Sequence, residues 1–166
     1  MKYEALRAQI KSGDLLAWSH RGWRTWYDFK VQMVRVFERS EYTHVGIAWR
    51  SGGRVWVIES VTPLVRVVPL STLLPCYVAP MPVRWNQGVE AYALSFVGDE
   101  RWKYSEWEAI KAWFGKHDTS NRWLECAEYV KMVYDRLGLD LPGRATPSDV
   151  VLAAQQAGAA LSFLER

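Results

Sequence analysis

The alternation of apolar and polar residues predicts a strand-rich first half of the chain. Residues 43–49 and 54–60 are rich in Val, Ile and Trp and are joined across a Ser-Gly-Gly turn, which predicts a β-hairpin. Shorter apolar runs predict further strands, and these lie at residues 15–18, 65–67, 76–79 and 160–164. We therefore expect a central antiparallel sheet or barrel.

Apolar residues recur at helical spacing elsewhere, mostly in the second half of the chain. The predicted helices cover residues 2–11, 26–37, 87–97, 105–114, 125–137 and 146–157. The last of these begins with a threonine cap, Thr146, and with Pro147 at its first helical position. Because there is no repeat or linker, the 166 residues predict one α+β domain spanning 1–166, with helices packed on the sheet.

The turn of the hairpin decides whether His44 and Glu59 are neighbours. If residues 51–52 form a two-residue turn, His44 faces Glu59 directly. If residues 52–53 form the turn, His44 faces Val61, and Glu59 lies diagonally beside the histidine on the same face. A three-residue loop would place the two side chains on opposite faces. Either tight turn therefore predicts a histidine beside a carboxylate.

Cys126 opens the strongest predicted helix. The first turn of a helix carries unpaired N–H groups and the positive end of the helix dipole, which favour an anion such as a thiolate. A thiolate nucleophile needs a base, and the base needs a group that orients it. We therefore expect Cys126 to meet His44 as the base and Glu59 as the orienting group, with the Cys126 N–H as an oxyanion donor. The competing interpretations are a small buried cysteine or a disulfide with Cys76.

Composition and charge narrow the possible partners. The net charge of +3 tolerates an anionic partner without requiring one, and ten tryptophans suggest a groove with partly exposed rings. The segment 21–26 interleaves basic and aromatic residues, but no nucleic-acid motif accompanies it, so we expect no nucleic-acid partner. The three histidines and two cysteines lack paired ligand spacing, so we expect no metal and no cofactor.

The sequence predicts neither a signal peptide nor a membrane span. The N-terminal residues alternate charged and apolar side chains without a hydrophobic signal core, and no apolar run reaches the length of a membrane span. The sequence thus predicts a soluble protein without a signal peptide. Action in the cytoplasm, release by lysis or association with a virion all stay open.

Several segments resemble the motifs of NlpC-type, papain-like cysteine hydrolases. Glu-Cys-Ala-Glu-Tyr-Val at 125–130 is similar to their cysteine motif, and Thr-His-Val-Gly-Ile-Ala at 43–48 to their histidine strand. In ordinary members the cysteine precedes the histidine, whereas here it follows. This order resembles the circularly permuted branch, which includes the YiiX/YaeF-like proteins and lecithin:retinol acyltransferase relatives.

Three further segments extend the resemblance to residues 13 to about 150. Gly-Asp-Leu-Leu at 13–16 is similar to the opening strand of that branch, and Val-Ile-Glu-Ser at 57–60 to the strand with the third polar residue, here Glu59. Lys-Tyr-Ser at 103–105 resembles a tyrosine motif bordering the groove, with serine in place of aspartate. Ala127 also departs from the pattern, since the branch often has serine there.

The resemblance implies a papain-like fold and a thioester intermediate on Cys126. It implies hydrolysis of an amide or ester in a cell-wall peptide, a peptidoglycan fragment or an acyl-lipid. Tyr104 and Trp18 are expected to line the substrate groove. Two alternatives stay open, namely a binding module of the same fold without turnover, and an acyltransferase.

Overall fold

The computed structural model describes residues 1–19, 41–61, 64–99, 125–141 and 146–166. The strands in these ranges are β1 Leu15–Trp18, β2 His44–Ser51, β3 Arg54–Val61, β4 Leu64–Pro69, β5 Cys76–Ala79 and β6 Ser162–Leu164. They form one sheet in the order β4-β3-β2-β1-β5-β6, and every neighbouring pair is antiparallel. This confirms the predicted α+β class with an antiparallel sheet.

Helices occupy the positions that the apolar spacing predicts, but two of them are shorter. The described helices are α1 Tyr3–Leu6, a 3-10 turn Leu70–Thr72, α2 Gln87–Leu94, α3 Cys126–Arg136 and α4 Pro147–Gln156. None of them is long and apolar enough to cross a membrane. The predicted helices at 26–37 and 105–114 lie outside the described residues.

Side-chain hydrogen bonds account for both early helix ends. The predicted helix at 2–11 stops after Leu6, and Arg50 donates to the carbonyl oxygens of Arg7, Ala8 and Ile10. Of these three, the Arg7 carbonyl is the one that a helix reaching residue 11 would use itself. The helix predicted to reach residue 97 ends at Leu94, where the Ser95 hydroxyl donates to the Tyr92 carbonyl at 2.7 Å. The last strand likewise covers 162–164 rather than 160–164.

The β2–β3 hairpin adopts the second of the two tight turns. Ser51 pairs with Arg54, so residues 52–53 form the turn. Both are glycines with positive φ, 58° for Gly52 and 73° for Gly53, as a type I′ turn requires. The register therefore places His44 and Glu59 diagonally on one face of the sheet.

Helix α3 is fixed to the sheet by buried side chains. Its inward face contains Ala127, Tyr129, Val130, Val133 and Tyr134. These pack in one core with strand residues that include Val45, Ile47 and Ile58, while the alternate strand residues, such as Leu16, Ala48 and Val57, fill a second core. The Tyr129 hydroxyl donates to the Ala93 carbonyl at 3.0 Å, and the Tyr134 hydroxyl donates to the Gly13 carbonyl at 2.9 Å.

Removal of the Tyr134 hydroxyl tests this anchor. We expect Tyr134→Phe to lower the free energy of unfolding by about 1–2 kcal/mol, because the buried Gly13 carbonyl loses its donor. Urea denaturation followed by circular dichroism measures the change. Tyr77→Phe is the control, since that hydroxyl makes no hydrogen bond within the part of the chain described. An equal decrease in the free energy of unfolding for the two variants would contradict the stabilising role of the Tyr134 hydroxyl.

Candidate active site

His44 and Glu59 are in direct contact at the end of the hairpin. The β2–β3 ladder runs from the Ser51–Arg54 pair to the Ile47–Ile58 pair, and His44 lies three residues beyond it. The His44 Nε2 lies 2.7 Å from Glu59 Oε2, so this N–H donates to the carboxylate. The Glu59 side chain is only 2% exposed, compared with 23% for His44. The predicted contact of the histidine with the carboxylate is confirmed.

Arg66 is a second partner of Glu59 that the sequence reasoning missed. The Glu59 Oε1 accepts from Arg66 Nε at 2.8 Å and lies 2.7 Å from Arg66 Nη2. The two residues are directly opposite each other on β3 and β4. Sequence alternation alone does not give this pairing, because it depends on the register between β3 and β4.

Gly46 leaves the space that Glu59 occupies. A Cβ added at Gly46 would lie 3.3 Å from the Glu59 Cβ and 3.0 Å from the Val57 Cγ1. Both contacts are tighter than ordinary van der Waals packing. A side chain at position 46 would therefore push against the carboxylate that contacts His44.

Cys126 is the first residue of α3, as predicted, and its thiol is free and partly buried. The backbone N–H of Glu125 donates to Glu128 Oε2 at 3.3 Å, which stabilises this helix start. The N–H groups of the first turn have no helical carbonyl to bind, so they are suited to an anionic oxygen. The Cys126 side chain lies close enough to the His44 imidazole to act on its protonation. Because Nε2 binds Glu59, Nδ1 is the nitrogen left for the thiol.

Opposite charges stabilise the protonated form of His44. Burial acts to lower the pKa of His44, but the negative charge and hydrogen bond of Cys126, followed by those of Glu59, raise it from 6.5 to about 10. Burial acts to raise the pKa of Glu59, and the hydrogen bonds and positive charges of His44 and Arg66 lower it below the ordinary value. The site thus favours the protonated form of the His44 imidazole.

The other predicted site residues have different outcomes. Trp18 lies beside the histidine, with ring centroids 5.3 Å apart, and its indole N–H donates to the Leu73 carbonyl at 2.7 Å. Its role in substrate binding stays a prediction. Tyr104, His20 and His117 lie outside the described residues, as does the basic-aromatic segment at 21–26. Cys76 is 1% exposed, and burial raises the pKa of its thiol to about 12, which fits a structural cysteine.

Comparison with known proteins gives one informative likeness. No protein-family model matches the chain, and no curated protein matches it. Among solved structures, the chain is similar to the crystal structure of the metalloprotein YiiX from Escherichia coli O157:H7. The match has a TM-score of 0.58 and 19% identity, and it covers 81% of this chain and 71% of YiiX. At this identity the likeness shows a shared fold.

The protonation of His44 can be measured directly. We expect an NMR titration of its imidazole to give a midpoint near pH 10, because two opposite charges favour the protonated form. Cys126→Ala and Glu59→Gln each remove one of these charges and should move the midpoint down towards 6.5, with the larger drop for Cys126→Ala. Comparison with His44→Gln assigns the resonance. A midpoint near 6.5 in the unaltered protein would contradict this electrostatic picture.

Proposed function

We propose that this protein is a cysteine hydrolase in which Cys126, His44 and Glu59 cleave an amide or ester through a thioester. The observation that carries the proposal is the His44 ring, which donates to the buried Glu59 carboxylate and is acted on by the nearby Cys126 side chain. A nucleophile, a base and an orienting group close together are the parts that covalent acyl transfer needs.

The reaction follows from these contacts. The Cys126 thiolate attacks the carbonyl carbon, and the N–H groups at the start of α3 stabilise the developing oxyanion. The tetrahedral intermediate collapses as the carbon–nitrogen or carbon–oxygen bond breaks, and the imidazolium gives its proton to the leaving group. His44 then takes a proton from water, the resulting hydroxide attacks the thioester, and the acid and the thiolate are released. Glu59 holds the ring so that Nδ1 faces the sulfur throughout.

The permuted NlpC-like, papain-like architecture is part of this proposal. Its support is the order His44, Glu59, Cys126 along the chain and the fold shared with YiiX. The substrates proposed are cell-wall peptides and acyl-lipids. A binding module without turnover and an acyltransferase are the alternatives that the experiment below separates.

A metal does not fit the donor set of the described site. YiiX is called a metalloprotein, but the described residues of this chain contain no group of three His, Cys, Asp or Glu side chains arranged to hold a metal ion. Both oxygens of Glu59 are already occupied, one by His44 and the other by Arg66. No step of the proposed reaction therefore uses a metal ion.

A covalent adduct tests the proposal. We expect mass spectrometry after incubation with peptidoglycan fragments, or in parallel with lipid esters, to show an acyl group on Cys126. Water or an added amine then releases it, which distinguishes hydrolysis from transfer. Iodoacetamide should also label Cys126 faster than Cys76 near neutral pH, because Cys76 is buried and its thiol has a raised pKa.

Two cysteine variants test which thiol reacts. Cys126→Ala should lose the adduct and the turnover, whereas the matched control Cys76→Ala should keep both. If Cys126→Ala binds the same fragments with unchanged affinity and the unaltered protein shows no turnover, the chain is a binding module. Equal labelling rates for the two cysteines would contradict the assignment of the nucleophile.

Metal removal gives a separate test. We expect dialysis against EDTA to leave the rate of acyl-enzyme formation unchanged within about twofold, since the reacting groups are side chains of the protein. A rate that falls with EDTA and returns with a stoichiometric metal would contradict the proposal.

A further inference from the structure

We propose that Arg66 is a positioning residue, which keeps Glu59 oriented and ionised while His44 gains and loses its proton. This inference rests on the proposed function, because it assigns Arg66 a part in the same reaction. Arg66 acts through Glu59 and makes no recorded contact with His44 or Cys126 within the described residues. Its contribution is separate from the three roles assigned above.

The contacts on Glu59 divide between its two oxygens. Oε1 accepts from Arg66 Nε at 2.8 Å and lies 2.7 Å from Nη2, whereas Oε2 accepts from His44 Nε2 at 2.7 Å. Two nitrogens of one planar guanidinium fix the position of Oε1, and this in turn sets the rotation of the carboxylate. Oε2 is then presented to the imidazole.

The backbone also places Arg66 for this role. Arg66 is the direct cross-strand neighbour of Glu59, so the pairing of β4 with β3 sets their separation. On the other side of Glu59, Gly46 leaves room for the side chain to lie against the sheet. The Arg66 side chain is 50% exposed, which keeps part of the guanidinium hydrated while its partner is buried.

The charge that faces Glu59 changes during the proposed reaction. His44 is positive before the leaving group departs and neutral afterwards, so it cannot compensate the Glu59 charge at every step. A buried carboxylate without an opposite charge takes up a proton, and protonated Glu59 would no longer hold the ring in the same way. Arginine stays charged at all working pH values, so Arg66 compensates Glu59 when His44 is neutral.

Among the described residues, three ionisable groups act on Glu59 and His44 in this balance. His44 from β2 and Arg66 from β4 both act on Glu59, and Cys126 from α3 acts on His44. Removal of Arg66 therefore removes the permanent positive charge from this set. The pKa of Glu59 must then rise, because burial already acts in that direction.

Arg66→Met tests the inference, with Arg54→Met as the matched control at an exposed position on β3. We expect the carboxyl ¹³C titration of Glu59 to move up by about one pH unit or more in Arg66→Met and to stay unchanged in Arg54→Met. The acid limb of the pH dependence of acyl-enzyme formation should move by the same amount, which makes the reaction about tenfold slower at a pH on that limb. Circular dichroism checks that each variant is folded.

Two further variants keep the test decisive. Arg66→Lys restores the charge without the planar pair of donors, so we expect a Glu59 titration near the original value but slower turnover. Arg66→Gln keeps a donor without the charge and replaces the methionine variant if that one does not fold. An unchanged Glu59 titration and acid limb in the neutral variants would overturn the inference. If the unaltered protein forms no acyl-enzyme, the proposed function fails, and the Glu59 titration still decides what Arg66 does.

Discussion

A carboxylate buried within a sheet is stable as an anion only when charged or hydrogen-bonding partners replace the water it has lost. Glu59 meets this requirement with both oxygens, one on Arg66 and one on His44. Those contacts fix the ring of the histidine and leave Nδ1 for Cys126. A side chain at Gly46 would crowd the Cβ of Glu59 and the Cγ1 of Val57, so the sequence of β2 is also constrained by the packing around Glu59.

The position of the sulfur depends on a different set of contacts. Helix α3 is held by its apolar face and by two buried tyrosine hydroxyls, which donate to the carbonyls of Ala93 and Gly13. These bonds fix the position of α3 along the sheet, and with it the position of Cys126 relative to His44. A helix start is also the place where a thiolate and an oxyanion both find unpaired N–H groups.

Much of the sheet and the His44–Glu59 contact could be predicted, because strand alternation and turn length follow local rules. These local rules allowed a hairpin turn at residues 51–52 or at residues 52–53. The positive φ of Gly52 and Gly53 shows that the second turn forms. The end of α1 was misplaced because it depends on Arg50, which is distant in sequence. Arg66 was missed since a charged residue within a short strand is typical of a solvated face, and only the β3–β4 register reveals its partner.

The charged groups of the site come from three consecutive strands, within residues 44–66, whereas Cys126 comes from a helix much later in the chain. Contacts between segments close in sequence form at a lower entropic cost than distant ones. We therefore expect the histidine, glutamate and arginine to assemble first, and the cysteine to join them only when α3 docks. A partly folded chain would then hold the contacts among His44, Glu59 and Arg66 before the Cys126 sulfur reaches them.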